Sequence, residues 1–453
     1  MNATPDLTER IARMAREVTA SDMPAHGREV LKSAVFDYLV CALAGSRTDT
    51  AKIVIDWVRR SGNDGTAQII GTDICAAPAL AALANGVSGH SLDYDDVSVR
   101  MTHPSVTIAP GVWALAQHGG HTGAAVMDAY LAGFEVEARL CRVLNPGHYE
   151  AGWHTTGTLG VFGSAAAACR LLDLDVDRTR SAFGIAASAA AGIRRNAGSM
   201  VKPLHAGQAS FHGVQAAELA AAGFRGNPSA FTGSSGFLEV FGVDGAHDEL
   251  LAAFESPAPY EIVEGGIAFK RFACCGAIHT AIDALLELVA ENGVKPDDVV
   301  SIDAHVNRLV PGVLTHHVTS NALEGKFSLE YSLAVALVDR AAGLEQYTQL
   351  RAADPKLIPY MERVNVVVDQ ELPVNQAYFA SEVVIERRAG EPLRRRVDIA
   401  RGYPQVPLSR EELVAKGRGC ATGIISTSAY ERLVELVFDL EHVADVSEIV
   451  SLL

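Results

Sequence analysis

Apolar residues recur at helical spacing along most of the chain up to about residue 265. In residues 6–20 they include Leu7, Ile11, Met14 and Val18, which share one helical face. The same spacing predicts further helices at 30–43, 52–60, 76–86, 106–118, 122–142, 158–172, 177–192 and 207–224, with one short strand at 66–70. This part of the chain is therefore predicted to form a large helical domain.

The pattern changes near residue 268, where alternating apolar and polar positions predict strands. The predicted strands are 299–306, 364–368, 382–386 and 395–399, with helices at 277–291 and 328–340 between them. Helical spacing returns at 410–417, 427–438 and 443–452. These last helices are too few to bury a core alone, so we expect them to rejoin the first domain. The predicted fold class is mainly α: a large all-helical domain from both chain ends (1–267 and 402–453) and a smaller α+β domain (268–401).

Composition narrows the class of protein. The chain has 453 residues, 49% hydrophobic and 20% charged, as in an ordinary globular protein. Its formal charge of −16 argues against non-specific binding to nucleic acid or anionic membranes. An anionic substrate would need a local basic pocket. No apolar run reaches the ~18 residues of a membrane span, and the N-terminus has no apolar signal region, so a cytoplasmic location is predicted. The cysteines are scattered and their total, seven, is odd, which indicates reduced, mostly buried thiols.

A dense polar cluster interrupts two apolar segments between residues 85 and 106. It contains His90, Asp93, Asp95, Asp96 and His103. A solvated acidic turn would explain Asp95 and Asp96 without any function. It explains the two histidines less well, because small and apolar residues flank them. Polar groups in such surroundings must be hydrogen-bonded or take part in chemistry.

A second cluster lies in the turn from 148 to 158. A helix-capping loop would account for its threonines, but not for His148, Tyr149, Trp153 and His154 together. A histidine such as His154 can act as an acid or a base near neutral pH.

A third candidate is Lys202, in the run KPLHAG. Because it precedes Pro203, its backbone is predicted to be extended, and the next helix to begin at Gly207. A lysine beside a helix N-terminus can bind an anion. The alternative is a solvated lysine in a loop.

The fourth cluster is the run KRFACCGAIH, which begins at Lys270 and Arg271. Cys275, near a predicted helix N-terminus, is expected to have a lowered pKa; the alternative is a small packing residue. No metal site is predicted, because adjacent cysteines chelate poorly and no second cysteine pair has finger spacing. No nucleotide-binding or nucleophile-elbow motif is present. The clusters are therefore expected to hold carboxylates and move protons without a cofactor.

Together these runs resemble the MmgE/PrpD family over nearly the whole chain. The similar segments are HSLDYDD, THPS, HYEAGWHTTGTLGVFGSAAAA, KPLHAG and KRFACCGAIH. The resemblance implies a helical domain made of both chain ends, an α+β lid domain, a homodimer and a cofactor-free active site between the domains. Members include 2-methylcitrate dehydratase, cis-aconitate decarboxylase and iminodisuccinate epimerase, which act on small polycarboxylates at a carbon next to a carboxylate.

The resemblance also implies roles for single residues. Asp93 and His103 match the first active-site motif, His154 the histidine of the second and Lys202 the lysine of the third. Lys270 matches the lysine that opens the fourth motif, and Tyr331 falls at a family site tyrosine. Two residues depart from the decarboxylase branch, which has threonine at Val97 and histidine at Cys275. These departures make cis-aconitate decarboxylation doubtful and bring the sequence closer to the epimerase.

The expected chemistry is removal of a proton α to a carboxylate. Lys202, Lys270 and Arg271 are predicted to bind the carboxylates, and His90 and Tyr331 complete the predicted substrate-binding set. His103, His154 or Tyr149 would be the base, and Asp93 would orient a neighbour. A lyase is the first hypothesis. An epimerase, with Tyr149 or Cys275 as the second acid, and a catalytically weak polycarboxylate-binding protein are the alternatives.

Overall fold

The computed structural model describes residues 6–62, 65–243, 245–373 and 379–453. Its elements are mainly α-helices with small sheets, so the predicted fold class is confirmed. The N-terminal helices are α1 (Leu7–Glu17), α2 (Ala25–Gly45), α3 (Asp49–Arg60), α4 (Pro78–His90), α5 (Pro104–Gly119), α6 (Gly123–Leu144), α7 (Gly147–Glu150), α8 (Thr155–Thr158), α9 (Gly160–Leu171), α10 (Val176–Ala187), α11 (Val201–Ala221), α12 (Phe237–Val240), α13 (His247–Ala253) and α14 (Glu261–Glu264).

Two short antiparallel ladders accompany these helices. They pair β1 (Ala67–Gln68) with β2 (Cys75–Ala76), and β3 (Val97–Ser98) with β4 (Ile267–Ala268). The second ladder pairs a strand within the polar cluster of residues 90–103 with the segment just before Lys270, so the two lie side by side. No helix in the described residues is both long and apolar enough to cross a bilayer.

Small residues let the central helices approach closely, and this positions the site. A Cβ atom on Gly86 of α4 would lie 2.8 Å from the Cα of Gly207 on α11, a distance that only glycine permits. α4 ends at His90, and α11 begins one residue before Lys202. The close crossing therefore brings the end of the first polar cluster beside the lysine of the third.

The α+β part contains α15 (His279–Asn292), β5 (Val299–Val306), α16 (Val310–Val313), α17 (Ala322–Gly325), α18 (Leu329–Asp339), α19 (Gln349–Ala352), α20 (Ile358–Met361), β6 (Val364–Val368), β7 (Ser381–Arg387) and β8 (Leu393–Val397). The sheet has the order β6-β5-β7-β8, with β5 and β6 parallel and the other pairs antiparallel. The first two predicted strands coincide with β5 and β6. The last two overlap β7 and β8, with ends displaced by one or two residues.

The C-terminal helices are α21 (Arg410–Ala421), α22 (Thr427–Phe438) and α23 (Ser447–Val450). α21 and α22 pack against α2, where the Phe36 ring lies 5.4 Å from that of Phe438. The backbone N–H of Gly71 donates to the Leu453 carbonyl at 2.9 Å. Both chain ends thus share one helical body, although the predicted domain boundaries themselves stay a prediction.

The predicted helix start at Gly207 is wrong. Lys202 and Pro203 lie inside the first turn of α11, which begins at Val201 and not at Gly207. The first backbone N–H groups of a helix have no intrahelical partner, so a proline there costs no hydrogen bond. Packing of α11 against α4 and α9 outweighs the steric preference of the residue before proline.

Candidate active site

A cavity of about 130 Å³ lies between the helical body and the α+β part. Its wall includes Asp93, Val97, His103, Tyr149, His154, Arg194, Lys202, His205, Lys270, Cys275, Phe327 and Phe379. Two long helices begin here, because His103 directly precedes α5 and Lys202 lies in the first turn of α11. The N-terminus of a helix carries partial positive charge, so both ends favour an anion in the cavity.

Most of the residues singled out from the sequence meet in this cavity. Asp93, His103, Tyr149, His154, Lys202, Lys270 and Cys275 line it, and His90 lies buried directly behind Lys202. Arg271 and Tyr331, predicted to bind substrate, do not line it. The Asp283 carboxylate on α15 holds the Arg271 guanidinium at 2.7 Å, and the Tyr331 hydroxyl donates to the Gln346 carbonyl.

Asp95 binds two of the histidines at once. Its carboxylate lies 3.0 Å from Nδ1 of His90 and 2.9 Å from Nδ1 of His103. The His103 Nδ1 is also 2.8 Å from the Asp96 carbonyl oxygen. Because neither oxygen can donate, this Nδ1 carries the hydrogen, and Nε2 of neutral His103 keeps its lone pair. The alternative of a solvated acidic turn is wrong, since Asp95 and Asp96 are fully buried.

Burial sets the charge state of this pair. It lowers the pKa of His103, with Lys202 and Lys270 acting in the same direction and Asp95 opposing them. It likewise lowers the pKa of His90 to about 4. Burial raises the pKa of Asp95, but His90 and His103 outweigh it and hold that pKa well below its usual value. His103 is therefore a neutral base beside an ionised carboxylate at neutral pH.

Two lysines converge on Asp93. The Lys202 Nζ lies 2.9 Å and the Lys270 Nζ 3.0 Å from the same carboxylate oxygen. Lys202 also donates to Nε2 of His90 at 2.7 Å, and Lys270 to the Asp93 carbonyl at 2.9 Å. Asp93 has a left-handed φ of 50°, which turns both of its oxygen-bearing groups toward Lys270. Each ammonium has three donors, so one on each lysine is left for a ligand after these bonds.

The charge balance of the cavity is opposite to that of the whole protein. Asp93 stays ionised, because the lysines outweigh burial and hold its pKa well below the usual value. It offsets one of the positive charges on Lys202, Lys270 and Arg194, which all line the cavity. The basic pocket that an acidic protein needs for an anionic substrate is therefore present.

The helical side of the cavity also carries a histidine pair and a tyrosine. Nδ1 of His154 lies 3.0 Å from Nδ1 of His205, so the two nitrogens share one hydrogen. Burial lowers the pKa of both, that of His205 to about 4. It raises the pKa of Tyr149 to about 12, so this hydroxyl is a proton donor and not a ready base.

Sequence reasoning missed Arg194, whose guanidinium lies 4.0 Å from the centre of the Tyr149 ring. Its Nη1 donates to the Tyr149 carbonyl at 2.9 Å. The signal was present in the Gly-bracketed run GIRRNAG, which ends three residues before KPLHAG. Adjacent arginines in a turn are usually a solvated surface, which is why the pattern alone did not single them out.

The expectation for Cys275 is wrong. It precedes a 3₁₀ turn, Gly276–Ile278, that leads directly into α15, but burial and Asp93 raise its pKa more than Lys270 lowers it. Cys275 therefore presents a neutral thiol to the cavity and not a thiolate.

A group of side chains in the described residues has metal-ligand geometry. His90, Asp93, Asp95 and His103 offer ligand atoms within 4.8 Å of one another. However, both histidine Nδ1 atoms bond to Asp95, and two ammonium groups lie within 3.0 Å of Asp93. A cation there would displace these bonds and be repelled by the lysines, so the group fits a metal poorly.

A buried ion pair supports the first cluster from behind. The Nζ of Lys416, on α21, lies 2.6 Å from the Asp37 carboxylate and donates to the Tyr94 carbonyl at 2.7 Å. Both charged side chains are almost fully buried. Helix α21 thus anchors the turn that carries Asp93 and Asp95.

Comparison with known proteins gives the class of this fold and site. The MmgE/PrpD N-terminal domain matches residues 9–249 and the MmgE/PrpD C-terminal domain matches residues 272–442. The chain therefore belongs to the MmgE/PrpD family, and the resemblance in its motifs is confirmed.

The curated relatives of the chain include several cis-aconitate decarboxylases. That of Homo sapiens is 28% identical over 93% of this chain and 89% of its own length. That of Mus musculus is 28% identical over 93% and 88%. That of Aspergillus terreus is 25% identical over 100% and 96%. The similarity thus spans both family domains.

Proposed function

We propose that the protein is a lyase that acts on a small di- or tricarboxylate through a carbanion at the carbon α to a carboxylate. The observation that carries this proposal is the His103–Asp95 pair, which places a neutral imidazole in one cavity with Lys202 and Lys270. Similarity to cis-aconitate decarboxylases over both domains supports the lyase class.

In this proposal the lysines hold the substrate carboxylates. As the α-carbanion forms, its charge spreads onto the adjacent carboxylate oxygens, where the free N–H groups of Lys202 and Lys270 offset it. His103 takes the α-proton on Nε2, and Asp95 stabilises the resulting imidazolium. In a dehydration the electron pair of the C–H bond becomes the new double bond, and the β-hydroxyl leaves as water with a proton from the cavity wall. In a decarboxylation His103 removes no proton: the C–C bond breaks, its electron pair stays on the α carbon as the carbanion, CO₂ leaves, and an acid of the cavity wall supplies the proton that the carbanion accepts.

Proton NMR in D₂O tests the proposal. The purified protein is incubated with citrate, 2-methylcitrate, cis-aconitate, iminodisuccinate and tartrate. Loss of water or CO₂ from one acid supports the lyase and identifies its leaving group. The absence of turnover with every member of the panel contradicts it.

Variants connect the activity to the cavity. Lys202→Ala and His154→Ala should each lower turnover strongly. The first variant removes an ammonium group that binds a carboxylate, and the second removes one histidine of the His154–His205 pair. The controls are Lys356→Ala and His442→Ala, at exposed positions outside the cavity lining. If the cavity variants fold normally and keep full turnover, the assignment of the site is wrong.

The alternative, an epimerase, is favoured by two residues of the wall. Val97 and Cys275 both line the cavity, and these are the positions at which the sequence departs from the decarboxylase branch. An epimerase would show deuterium entering an α carbon with inversion and no leaving group. Any substrate-dependent chemistry in this experiment would exclude the second alternative, a protein that only binds a polycarboxylate.

We also propose, from the family resemblance alone, that the protein is a homodimer in the cytoplasm. Light scattering coupled to gel filtration measures the oligomeric state directly. A monomer across the micromolar concentration range would contradict the first part of this proposal.

A further inference from the structure

The cavity continues outward into a second space of about 170 Å³, which we call the vestibule. Its lining residues are Met101, Tyr149, Glu150, Arg194, Arg308, Leu309, Gly312, Val313 and Phe379. Six of them also line the cavity: Met101, Tyr149, Arg194, Gly312, Val313 and Phe379. A ligand held by the inner lysines can therefore extend into the vestibule.

Arg194 belongs to both spaces. Stacking on Tyr149 and the bond from Nη1 to the Tyr149 carbonyl fix the plane of its guanidinium. In the described part of the chain no other side-chain hydrogen bond or ion pair engages it. A planar guanidinium presents several donors in a fixed fork. The fork of Arg194 is thus held in place, with donors remaining for an anion.

Arg308 approaches the vestibule from the α+β part. It lies in the turn between β5 and α16, and its side chain is exposed. Buried Asn307 fixes this turn. Its side-chain oxygen accepts a hydrogen bond from the Leu309 backbone N–H at 3.0 Å. Within residues 6–62, 65–243, 245–373 and 379–453, no ion pair or side-chain hydrogen bond engages Arg308.

We propose that Arg194 and Arg308 form an outer carboxylate subsite that selects tricarboxylates over dicarboxylates. Two arginines from different parts of the fold line one space that adjoins the lysine-bearing cavity, and arginine binds carboxylates in a bidentate manner. The inner lysines hold the carboxylates next to the reacting carbon, and the arginines hold a further carboxylate. This inference rests on the proposed function for the identity of the ligand, but not for its test.

The test measures binding and not turnover, with two inert acids that differ by one carboxylate. Propane-1,2,3-tricarboxylate and propane-1,3-dicarboxylate (glutarate) are titrated into the protein by calorimetry at fixed ionic strength. The wild type should bind the tricarboxylate more tightly. Each variant removes charge-assisted hydrogen bonds to the third carboxylate, so Arg194→Gln and Arg308→Gln should each weaken that binding about tenfold or more. Glutarate lacks the third carboxylate, so its binding should change less than about twofold. A change of that size is expected from removing one screened surface charge.

Arg195→Gln is the matched control, because Arg195 is the exposed neighbour of Arg194 and does not line either space. It should leave both affinities unchanged. Arg194→Lys keeps the charge and loses the fork, so its tricarboxylate affinity should fall between those of the wild type and Arg194→Gln. If Arg194→Gln does not fold, exposed Arg308→Gln carries the test alone.

The results separate this inference from the proposed function. A wild type without preference for the tricarboxylate, or variants that weaken both acids equally, would overturn the subsite. Loss of tricarboxylate preference in the variants supports the subsite even if no acid of the NMR panel is turned over. Turnover without any effect of the arginines would leave the lyase standing and remove the subsite.

Discussion

The two walls of the cavity are built differently. On the helical wall, Asp95, His90, Lys202 and Asp93 form one continuous hydrogen-bonded network that ends at His103. The α+β wall presents mainly apolar side chains and a neutral thiol: Val313, Phe327, Phe379 and Cys275. Lys270, the lysine that the α+β wall contributes to the site, forms an ion pair with Asp93 of the helical wall. In the proposed lyase, the helical wall would therefore carry proton transfer, and the α+β wall would shape the space for the substrate.

The largest expected effect is that of Asp95→Asn on turnover. An amide can donate a hydrogen bond where the carboxylate only accepts, so it no longer fixes Nδ1–H on His103 or stabilises the imidazolium. By analogy with other Asp–His pairs, kcat should fall about 10³–10⁴-fold with little change in KM. Steady-state kinetics on the substrate found by NMR measures this, with exposed Asp49→Asn as the control. A loss below about tenfold would mean that the helical wall does not hold the base.

The next effect concerns stability. Lys416→Met leaves the Asp37 carboxylate unpaired in the core and the Tyr94 carbonyl without its donor. Breaking a buried pair on one side typically costs about 3–5 kcal/mol. Urea unfolding measures this loss, and the exposed Lys356→Met should show almost none. The double variant Asp37→Asn/Lys416→Met should recover part of the loss, since it removes the uncompensated charge. A loss of under about 1 kcal/mol in Lys416→Met would show that the pair does not support the wall.

The buried histidines predict how stability depends on pH. Burial lowers the pKa of His90 from 6.5 to about 4, so between these values the unfolded chain binds a proton that the folded protein does not. The unfolding free energy must therefore fall as the pH is lowered through this window, by about 2 kcal/mol between pH 7 and pH 5 for His90 alone. His205, with a pKa lowered to about 4, adds to the slope, so His205→Gln should flatten it. Urea midpoints at several pH values measure the slope, and a flat profile would contradict neutral, buried histidines.

The contrast between the walls also explains what the sequence could predict. His103, His154 and Lys202 stood out because polar residues interrupt apolar runs at the ends of helices, which is a local pattern. Local pattern could not separate Lys270 from Arg271, because the Asp283 carboxylate that holds Arg271 outside the cavity comes from α15.

Other features of the site depend on contacts between distant parts of the chain. Lys416 follows Tyr94 by more than three hundred positions, and only the packing of α21 on α2 brings them together. The different roles of Asp93 and Asp95 depend on the left-handed backbone of Asp93, which no periodicity encodes. The periodicity of 299–306 and 364–368, by contrast, was sufficient for β5 and β6, because each strand has its own alternation.

The smallest expected effect is on the α+β wall and decides between the two reaction classes. Cys275→Ser replaces a neutral thiol by a neutral hydroxyl of similar shape. If the thiol only shapes the cavity of a lyase, turnover should change less than about tenfold, as for a substitution that makes no contact with developing charge. In an epimerase a second acid must return the proton to the opposite face, and loss of that acid lowers turnover about 10²–10⁴-fold.

Deuterium exchange at the α carbon, measured apart from product formation, distinguishes the two reaction classes. In an epimerase that uses the thiol, Cys275→Ser still exchanges the substrate proton at His103 but no longer inverts the centre. If the protein is a lyase and Cys275→Ser lowers its turnover as steeply as Asp95→Asn does, the proposed difference between the two walls is wrong. Proton transfer would then require residues of both walls.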